Sequence, residues 1–391
     1  MNPKFAKIEE EIERFSFAFP ILQNLDHYFS SSNFLSGAKI GWHCHLTSIT
    51  AATVKVLLKA GAKLYMSECN SATSDHPSIE YMRHLGAQIF LGADSAQQVL
   101  NEKPYVISDT GFVLTEKYLR DFAGSEPFLY AGCEITTSGI QKMHAMENLV
   151  FPVITINDGE LKTLIENFHG VGDGALEALF RITGRMWAGR SVAVVGYGRV
   201  GAGVASYLRH TGAVVSIVEN DPTRRLVAHY DGFSTRTLSS ALSTSELLIT
   251  ATGRHALIRA ELLHDFRDGL VLMNVGHWAE ELDLLSIKQA CQSHFQVREH
   301  LEQFEMPTKN PAGEGSTRRL FVIGGGGPAN VVMLAGSPEP TLIHLTTELL
   351  CMNHLLQLKA EGQTLAPGEH AVPRAVQSQA SLLALKSLGL D

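Results

Sequence analysis

Apolar residues along the chain fall into short runs bounded by Gly, Asp and Pro, and between these runs they recur at helical spacing. The N-terminal stretch, beginning MNPKFAKIEEEIERF, is amphipathic and reads as helix. From there the pattern predicts a strand over 38–42, a helix over 46–60, a strand over 62–66 and a helix over 77–85. Further apolar runs at 88–91, 105–108 and 127–131 read as strands. A second series follows, with a helix over 175–187, a buried strand over 191–195 and a helix over 199–210. Strands at 214–218, 247–250 and 271–274 continue it. Such alternation implies α/β architecture, with two doubly wound parallel sheets covered by helices on both faces. Pro338 and Pro340 break the second series, and a helix over 342–358 follows. The expected domains are therefore 1–165, 166–335, and 336–391 rejoining the first.

Composition narrows the class. With 391 residues, 45% hydrophobic and 18% charged, the chain can build real cores and is not a disordered polymer. The net charge of −8, with only Arg224–Arg225 and Arg318–Arg319 as basic pairs, argues against a nucleic-acid partner. No apolar run reaches the roughly 20 residues of a membrane span. The N-terminus lacks the apolar core of a signal peptide. Five scattered cysteines read as reduced thiols, so a cytoplasmic location is expected.

One loop carries clear chemistry. Residues 191–203 read SVAVVGYGRVGAG, a G-x-G-x-x-G of Gly196, Gly198 and Gly201 between a β-branched strand and a helix. Gly196 suits a tight turn, Gly198 lets backbone approach a pyrophosphate, and Gly201 allows close helix–strand packing. Arg199 and Val200 open the helix whose N-terminal amides would face the phosphates. Glu219 lies at the end of the next strand, where a carboxylate accepts from ribose hydroxyls and repels a 2′-phosphate. This is a Rossmann domain, and the expected cofactor is NAD rather than NADP.

Other motifs carry a resemblance. ITINDGELKTLIEN (154–167) precedes the glycine loop, and MNVGHWAEELD (273–283) follows it. His45 and Thr47 form an H-x-T, Asp109 and Gly111 a D-x-G, and Thr136–Gly139 reads T-T-S-G. In order and spacing, from about residue 38 to 337, this resembles the S-adenosyl-L-homocysteine hydrolase family. The resemblance implies an NAD-dependent hydrolase of a nucleoside thioether. Its chemistry oxidises the ribose 3′-hydroxyl, removes the acidified C4′ proton, expels the 5′ thiolate, adds water and reduces the ketone. It further implies that Lys162 takes the hydroxyl proton, that Glu166 holds the ribose hydroxyls, and that Asn167 orients the lysine or the sugar. His45 and Asp109 become the acid–base group, Thr47 and Glu134 substrate contacts, and His277 a closing histidine. Thr136, Thr137, Ser138 and Asn330 become cofactor contacts. A homo-oligomer, dimer or tetramer, is implied as well. Read without the resemblance, Lys162 and Glu166 could be an exposed i,i+4 ion pair and Thr136 a helix cap. His43-Cys44-His45 could suggest a metal, but no further cluster completes a site, so none is expected.

The departures from the family pattern are specific. A second acid expected beside Glu134 is Ile135, an adenine-reading acid or amide is Ile49, and a histidine at the base end is Ser337. Lost polar contacts to the base predict altered base specificity. The family's C-terminal tail with Lys and Tyr has no counterpart before LGLD, so looser NAD retention or altered assembly is expected. A nucleoside oxidoreductase or epimerase using the same 3′-keto chemistry is the alternative, and a regulatory NAD-binding pseudoenzyme a further one. The glycine run 324–327 reads as either a hinge or a loose loop.

Overall fold

The computed structural model describes residues 3–390 apart from 32, 123–125, 147–148, 277–280 and 308–316, and apart from the side chain of residue 72. Contacts divide the chain into two compact units, Met1–Glu166 with Pro338–Asp391, and Asn167–Ser337. Glu166 thus belongs to the first unit, and Gly336 and Ser337 to the second. The first unit carries β1 (Lys39–Cys44), β2 (Lys63–Glu68), β3 (Gln88–Phe90), β4 (Val106–Asp109), β5 (Ala131–Glu134) and β6 (Pro152–Thr155). The second carries β7 (Ser191–Val195), β8 (Val214–Val218), β9 (Ser234–Thr235), β10 (Leu247–Thr250), β11 (Leu270–Asn274), β12 (Ser293–Arg298), β13 (Leu301–Pro307) and β14 (Thr317–Ile323). The chain then returns to the first unit as β15 (Gly368–Ala371).

The first sheet runs β15-β6-β5-β4-β1-β2-β3, every neighbouring pair parallel. The chain starts in the middle at β1, steps outward to β3, then returns to β4 on the other side of β1. Successive connections at β1 and β4 leave in opposite directions, and this reversal opens a crevice at the strands' carboxyl ends. Helices cover both faces: Ile40 and Trp42 of β1 join one buried cluster, and Ile107 of β4 joins another.

The second sheet runs β12-β13-β14-β11-β10-β7-β8-β9 and repeats the reversal at β7 and β10. Along β7, Val192 and Val194 enter one core while Ala193 and Val195 enter the other. The sheet is parallel from β14 through β11, β10, β7 and β8 to β9, as expected, and gains an antiparallel edge. β13 pairs antiparallel with both β12 and β14. All six residues of β12 are exposed, so the strand has no buried face to leave a hydrophobic pattern.

Three local expectations also change. The helix read at 175–187 is Val171–Thr183, because Gly184 adopts a left-handed φ of 57° and ends it. Trp187 is buried beyond that end. The N-terminal helix is two, Ala6–Ala18 and Ile21–Ser30, separated around Pro20. The glycine run is a bonded turn: Gly324, Gly325 and Gly326 all have left-handed φ, and the Asn274 amide donates to the Gly326 carbonyl at 3.0 Å. Among the described residues no helix is long and apolar enough to cross a membrane.

In the second unit the helix Arg199–His210 packs closely on the segment before it. A Cβ at Gly203 would lie 2.1 Å from the backbone oxygen of Phe168. Backbone cannot swing away as a side chain can. Gly203→Ala should destabilise this unit by about 1–3 kcal/mol, seen as an earlier urea transition; an unchanged midpoint would contradict this packing.

Candidate active site

The crevice of the first unit is lined by the ends of β1, β4 and β5. His45 follows β1, and its Nδ1 lies 2.6 Å from the Thr73 hydroxyl and 3.3 Å from Cys69 Sγ. Thr73 already donates its proton to the Asn70 carbonyl at 2.8 Å. Nδ1 must therefore carry the hydrogen, which makes Nε2 the basic nitrogen of His45. Thr47 caps the helix Ser48–Lys59, accepting from the Thr50 amide at 3.4 Å. Ile49 sits half-buried in that helix's first turn.

Asp109, at the end of β4, is fully buried. It accepts from the amides of Val113 and Thr115 at 3.0 and 2.8 Å, ordering the start of the helix Val113–Asp121. His43, on β1, bonds to Ser67 through Nδ1 at 2.8 Å and lies within the field of Asp109. Burial lowers its pKa, and Asp109 only partly restores it.

Glu134, at the end of β5, is fully buried too. Its two oxygens accept from the amides of Gly111 (3.1 Å), Phe112 (2.8 Å) and Thr136 (2.8 Å), and from the Thr136 hydroxyl. Burial and the Asp109 carboxylate push its pKa up to about 8, against those donors. A Cβ at Gly139 would come within 2.2 Å of the Glu134 carboxyl carbon, so the glycine of T-T-S-G makes room for this carboxylate. The residue expected to touch substrate is thus committed to joining two loops. Thr136 is committed as well: its hydroxyl also accepts from the amides of Gly139 and Gly111, each at 3.0 Å. Ser138 is half-buried and Thr137 exposed, the latter accepting from Asn157 at 3.1 Å.

Lys162 and Glu166 lie on Leu161–Gly170, a π-helical segment of a kind that concentrates at functional sites. They form an ion pair with side-chain exposures of 12% and 15%, far from the solvated surface pair that i,i+4 spacing alone allows. Burial raises the Glu166 pKa, but His344 and Lys162 beside it outweigh burial and bring it down. His344 Nδ1 lies 3.2 Å from Glu166 Oε2, and His344 Nε2 lies 3.6 Å from Glu348 Oε2. Asn167 follows on the same helix in the second unit.

In the second unit the glycine loop has the geometry a dinucleotide needs. Gly196 has φ +96°, and a Cβ there would lie 2.7 Å from the Ala251 carbonyl. A Cβ at Gly201 would lie 2.0 Å from the Gly196 carbonyl. A Cβ at Gly198 would meet only the Arg224 guanidinium, at 3.9 Å, so the backbone there is open to a ligand. Arg199 and Val200 begin the following helix. Glu219 accepts from the amides of Tyr197, Asn220 and Asp221 at 2.7, 2.7 and 2.9 Å, which fix it at the strand end. Asn330 has a buried Oδ1 with no hydrogen-bond partner, as expected of a group that awaits a carboxamide donor. These residues fit NAD.

The run from Asn274 to Asp283 separates into scaffold and chemistry. Asn274 accepts from the Gly276 amide at 2.7 Å. Glu281 is fully buried and accepts from the amides of Thr252 and Gly253, and a Cβ on Gly276 would lie 1.6 Å from its carboxylate. Asp283 caps the helix Leu284–Ala290. His277 lies outside the described residues.

Known proteins resemble this chain over nearly its whole length. Residues 167–324 match the family model for the S-adenosyl-L-homocysteine hydrolase NAD-binding domain. The chain is 30% identical over 384 residues to the S-inosyl-L-homocysteine hydrolase of Methanopyrus kandleri, covering 95% of this chain and 88% of the relative. It is 28% identical to the adenosylhomocysteinase of Aeropyrum pernix, covering 95% and 89%. The chain belongs to the adenosylhomocysteinase and S-inosyl-L-homocysteine hydrolase family. It is an enzyme of that hydrolase type with the family's NAD-binding domain. Within this hydrolase, sequence reasoning passed over His344 and Glu348. The signal was present, since a His and a Glu one turn apart stand among the leucines of one helix. It passed over Cys69 as well, and weighed His43 only as a metal ligand.

Removing the Glu219 carboxylate removes a charged acceptor. Glu219→Ala should weaken NAD binding by roughly 10–100-fold, the equivalent of about 1.5–3 kcal/mol, and weaken NADP binding less. Calorimetric titration of the two nucleotides checks this; equal losses for both would contradict the role of Glu219.

Proposed function

We propose that the protein hydrolyses the 5′ thioether of an S-nucleosyl-L-homocysteine, with the nucleobase not restricted to adenine. Carrying the reading is the buried Lys162–Glu166 pair, in a unit whose sheet reversal also collects His45 and Asp109 at its strand ends. NAD, when bound by Gly196, Gly198, Arg199, Val200, Gly201, Glu219 and Asn330, supplies reversible oxidation at the ribose 3′ carbon, which acidifies the C4′ proton. Lys162 accepts the 3′-hydroxyl proton, and Glu166 holds the lysine in place. His45 has its Nδ1 hydrogen directed to Thr73 and uses Nε2 to move the proton between C4′ and the departing sulfur. Asp109 has both oxygens engaged by amides, so it is fixed in place at the end of its strand. Thr137 and Ser138 remain for the cofactor, because Thr136 is committed to the scaffold. Asn167 and His277 complete the set by resemblance.

The base preference follows from Ile49 and Ser337. An isoleucine cannot accept from the adenine amino group, so the site gains nothing from that donor. Relatives named S-inosyl-L-homocysteine hydrolase support this reading. All five cysteines are free, which supports a reducing cytoplasm. The family resemblance supports a homo-oligomer.

Purified protein offered S-inosyl- and S-adenosyl-L-homocysteine should release thiol from the inosyl compound with a kcat/KM at least equal to that for the adenosyl one. Strong preference for the adenosyl compound would refute the base assignment. A nicotinamide absorbance change without thiol from either would replace hydrolysis by a nucleoside oxidoreductase. Lys162→Ala should lower kcat about 10²–10⁴-fold while NAD stays bound; an unchanged kcat would remove Lys162 from the mechanism.

A further inference from the structure

The helix Pro338–Ala360 is buried without a break from Leu342 to Asn353, and this stretch carries His344 and Glu348 at 3% and 0% exposure. Together with the Lys162–Glu166 pair they form one continuous array inside the first unit. Lys162 Nζ meets Glu166 Oε2, the same oxygen lies 3.2 Å from His344 Nδ1, and His344 Nε2 lies 3.6 Å from Glu348 Oε2. The other oxygen of Glu348 accepts the Ser108 hydroxyl, at the end of β4. The array thus spans from the π-helical segment to the strand bearing Asp109.

A polar cluster that served packing alone would pair its atoms. Here both His344 nitrogens and Glu348 Oε2 are buried without a hydrogen bond. Contacts that are long or poorly aligned are the resting geometry of acid–base chains that tighten when a proton enters. The charges also fail to cancel. Lys162 balances Glu166, and among the described residues no second cation acts on Glu348. Its remaining neighbours are the Trp42 indole and Cys44 on β1, Cys133 on β5, and Cys351 on its own helix. Burial pushes all three thiols up, so they stay neutral. Burial likewise pushes the Glu348 carboxyl up to about 7 and His344 down to about 4. Glu348 is therefore a carboxyl that takes or gives a proton near neutral pH.

We propose that His344 and Glu348 are positioning residues for the hydrolase: by way of Glu166 they carry the proton of Lys162 to a buried store on Glu348, leaving a neutral amine. The idea rests on the reading of Lys162 as the group that accepts the substrate hydroxyl proton. The transfer balances. A Lys162 N–H bond breaks and its proton joins Glu166 Oε2. From there it passes to His344 Nδ1 while His344 Nε2 releases its own proton to Glu348. A neutral lysine, an ionised Glu166, a neutral His344 and a protonated Glu348 result, with the total charge unchanged.

The sign of the pH dependence follows. Below about pH 7 Glu348 is already protonated and the store is full, so kcat falls; above it the store is open. Wild type, Glu348→Gln and His344→Asn should be compared as kcat and KM against pH, with S-inosyl- and S-adenosyl-L-homocysteine. Both variants should lose that limb and about 10²-fold in kcat, with KM nearly unchanged. In parallel, infrared difference spectra of the substrate-free protein should show two protonated-carboxyl bands titrating near neutral pH, from Glu134 and Glu348, one of which vanishes in Glu348→Gln. A spectrum that keeps both bands in that variant, or variants that keep the wild-type limb, overturns the proposal. Should wild type cleave neither compound, the functional reading fails, and the infrared titration still decides the buried store.

Discussion

Each unit closes its site loops on a fully buried glutamate. Glu134 joins the loop after β4 to the end of β5, and Glu281 joins the loop after β10 to the segment after β11. In both cases the acceptor oxygens are saturated by backbone amides of residues at strand ends. In both, the facing residue is a glycine whose Cβ would collide with the carboxylate, Gly139 and Gly276 respectively. Burial raises both pKa values, and the amide donors oppose the shift. A buried carboxylate is costly unless its acceptors are filled. Each glutamate can therefore exist only while its loops stay closed around it. The loops that carry chemistry are thereby fixed by the same groups that would be stranded if they opened.

This division of labour reassigns several residues. In the first unit Asp109, Glu134, Thr47 and Thr136 all spend their side-chain oxygens on amides. What remains for proton movement is His45, with its tautomer fixed by Thr73, and Lys162 with the buried groups behind it. In the second unit Asn274, Glu281 and Asp283 similarly spend their side-chain oxygens on amides. A family motif read along the chain mixes both kinds of residue, because invariant geometry and chemistry require equally specific side chains.

The α/β class was legible because buried parallel strands such as 191–195 are apolar on both faces. The dinucleotide loop was legible because its glycines answer steric demands that sequence spacing encodes. By contrast β12 left no trace, since all its side chains are exposed. The helix end at Gly184 was missed because apolar residues such as Trp187 continue past it into the core. The commitments of Glu134 and Thr136 were hidden because their partners are backbone amides, which no residue letter records. His344 and Glu348 were hidden for a related reason: their significance comes from Glu166, distant in the chain and adjacent only after folding.

If buried glutamates hold the site loops, loop amides should behave like strand amides. Residue-resolved hydrogen exchange of Gly111, Phe112 and Thr136 in the first unit, and of Thr252 and Gly253 in the second, tests this directly. In the wild type these amides should exchange as slowly as their neighbouring strands. Glu134→Gln should accelerate only the first set and Glu281→Gln only the second. Fast exchange of both sets in the unmodified protein, at rates typical of open loops, would contradict the account.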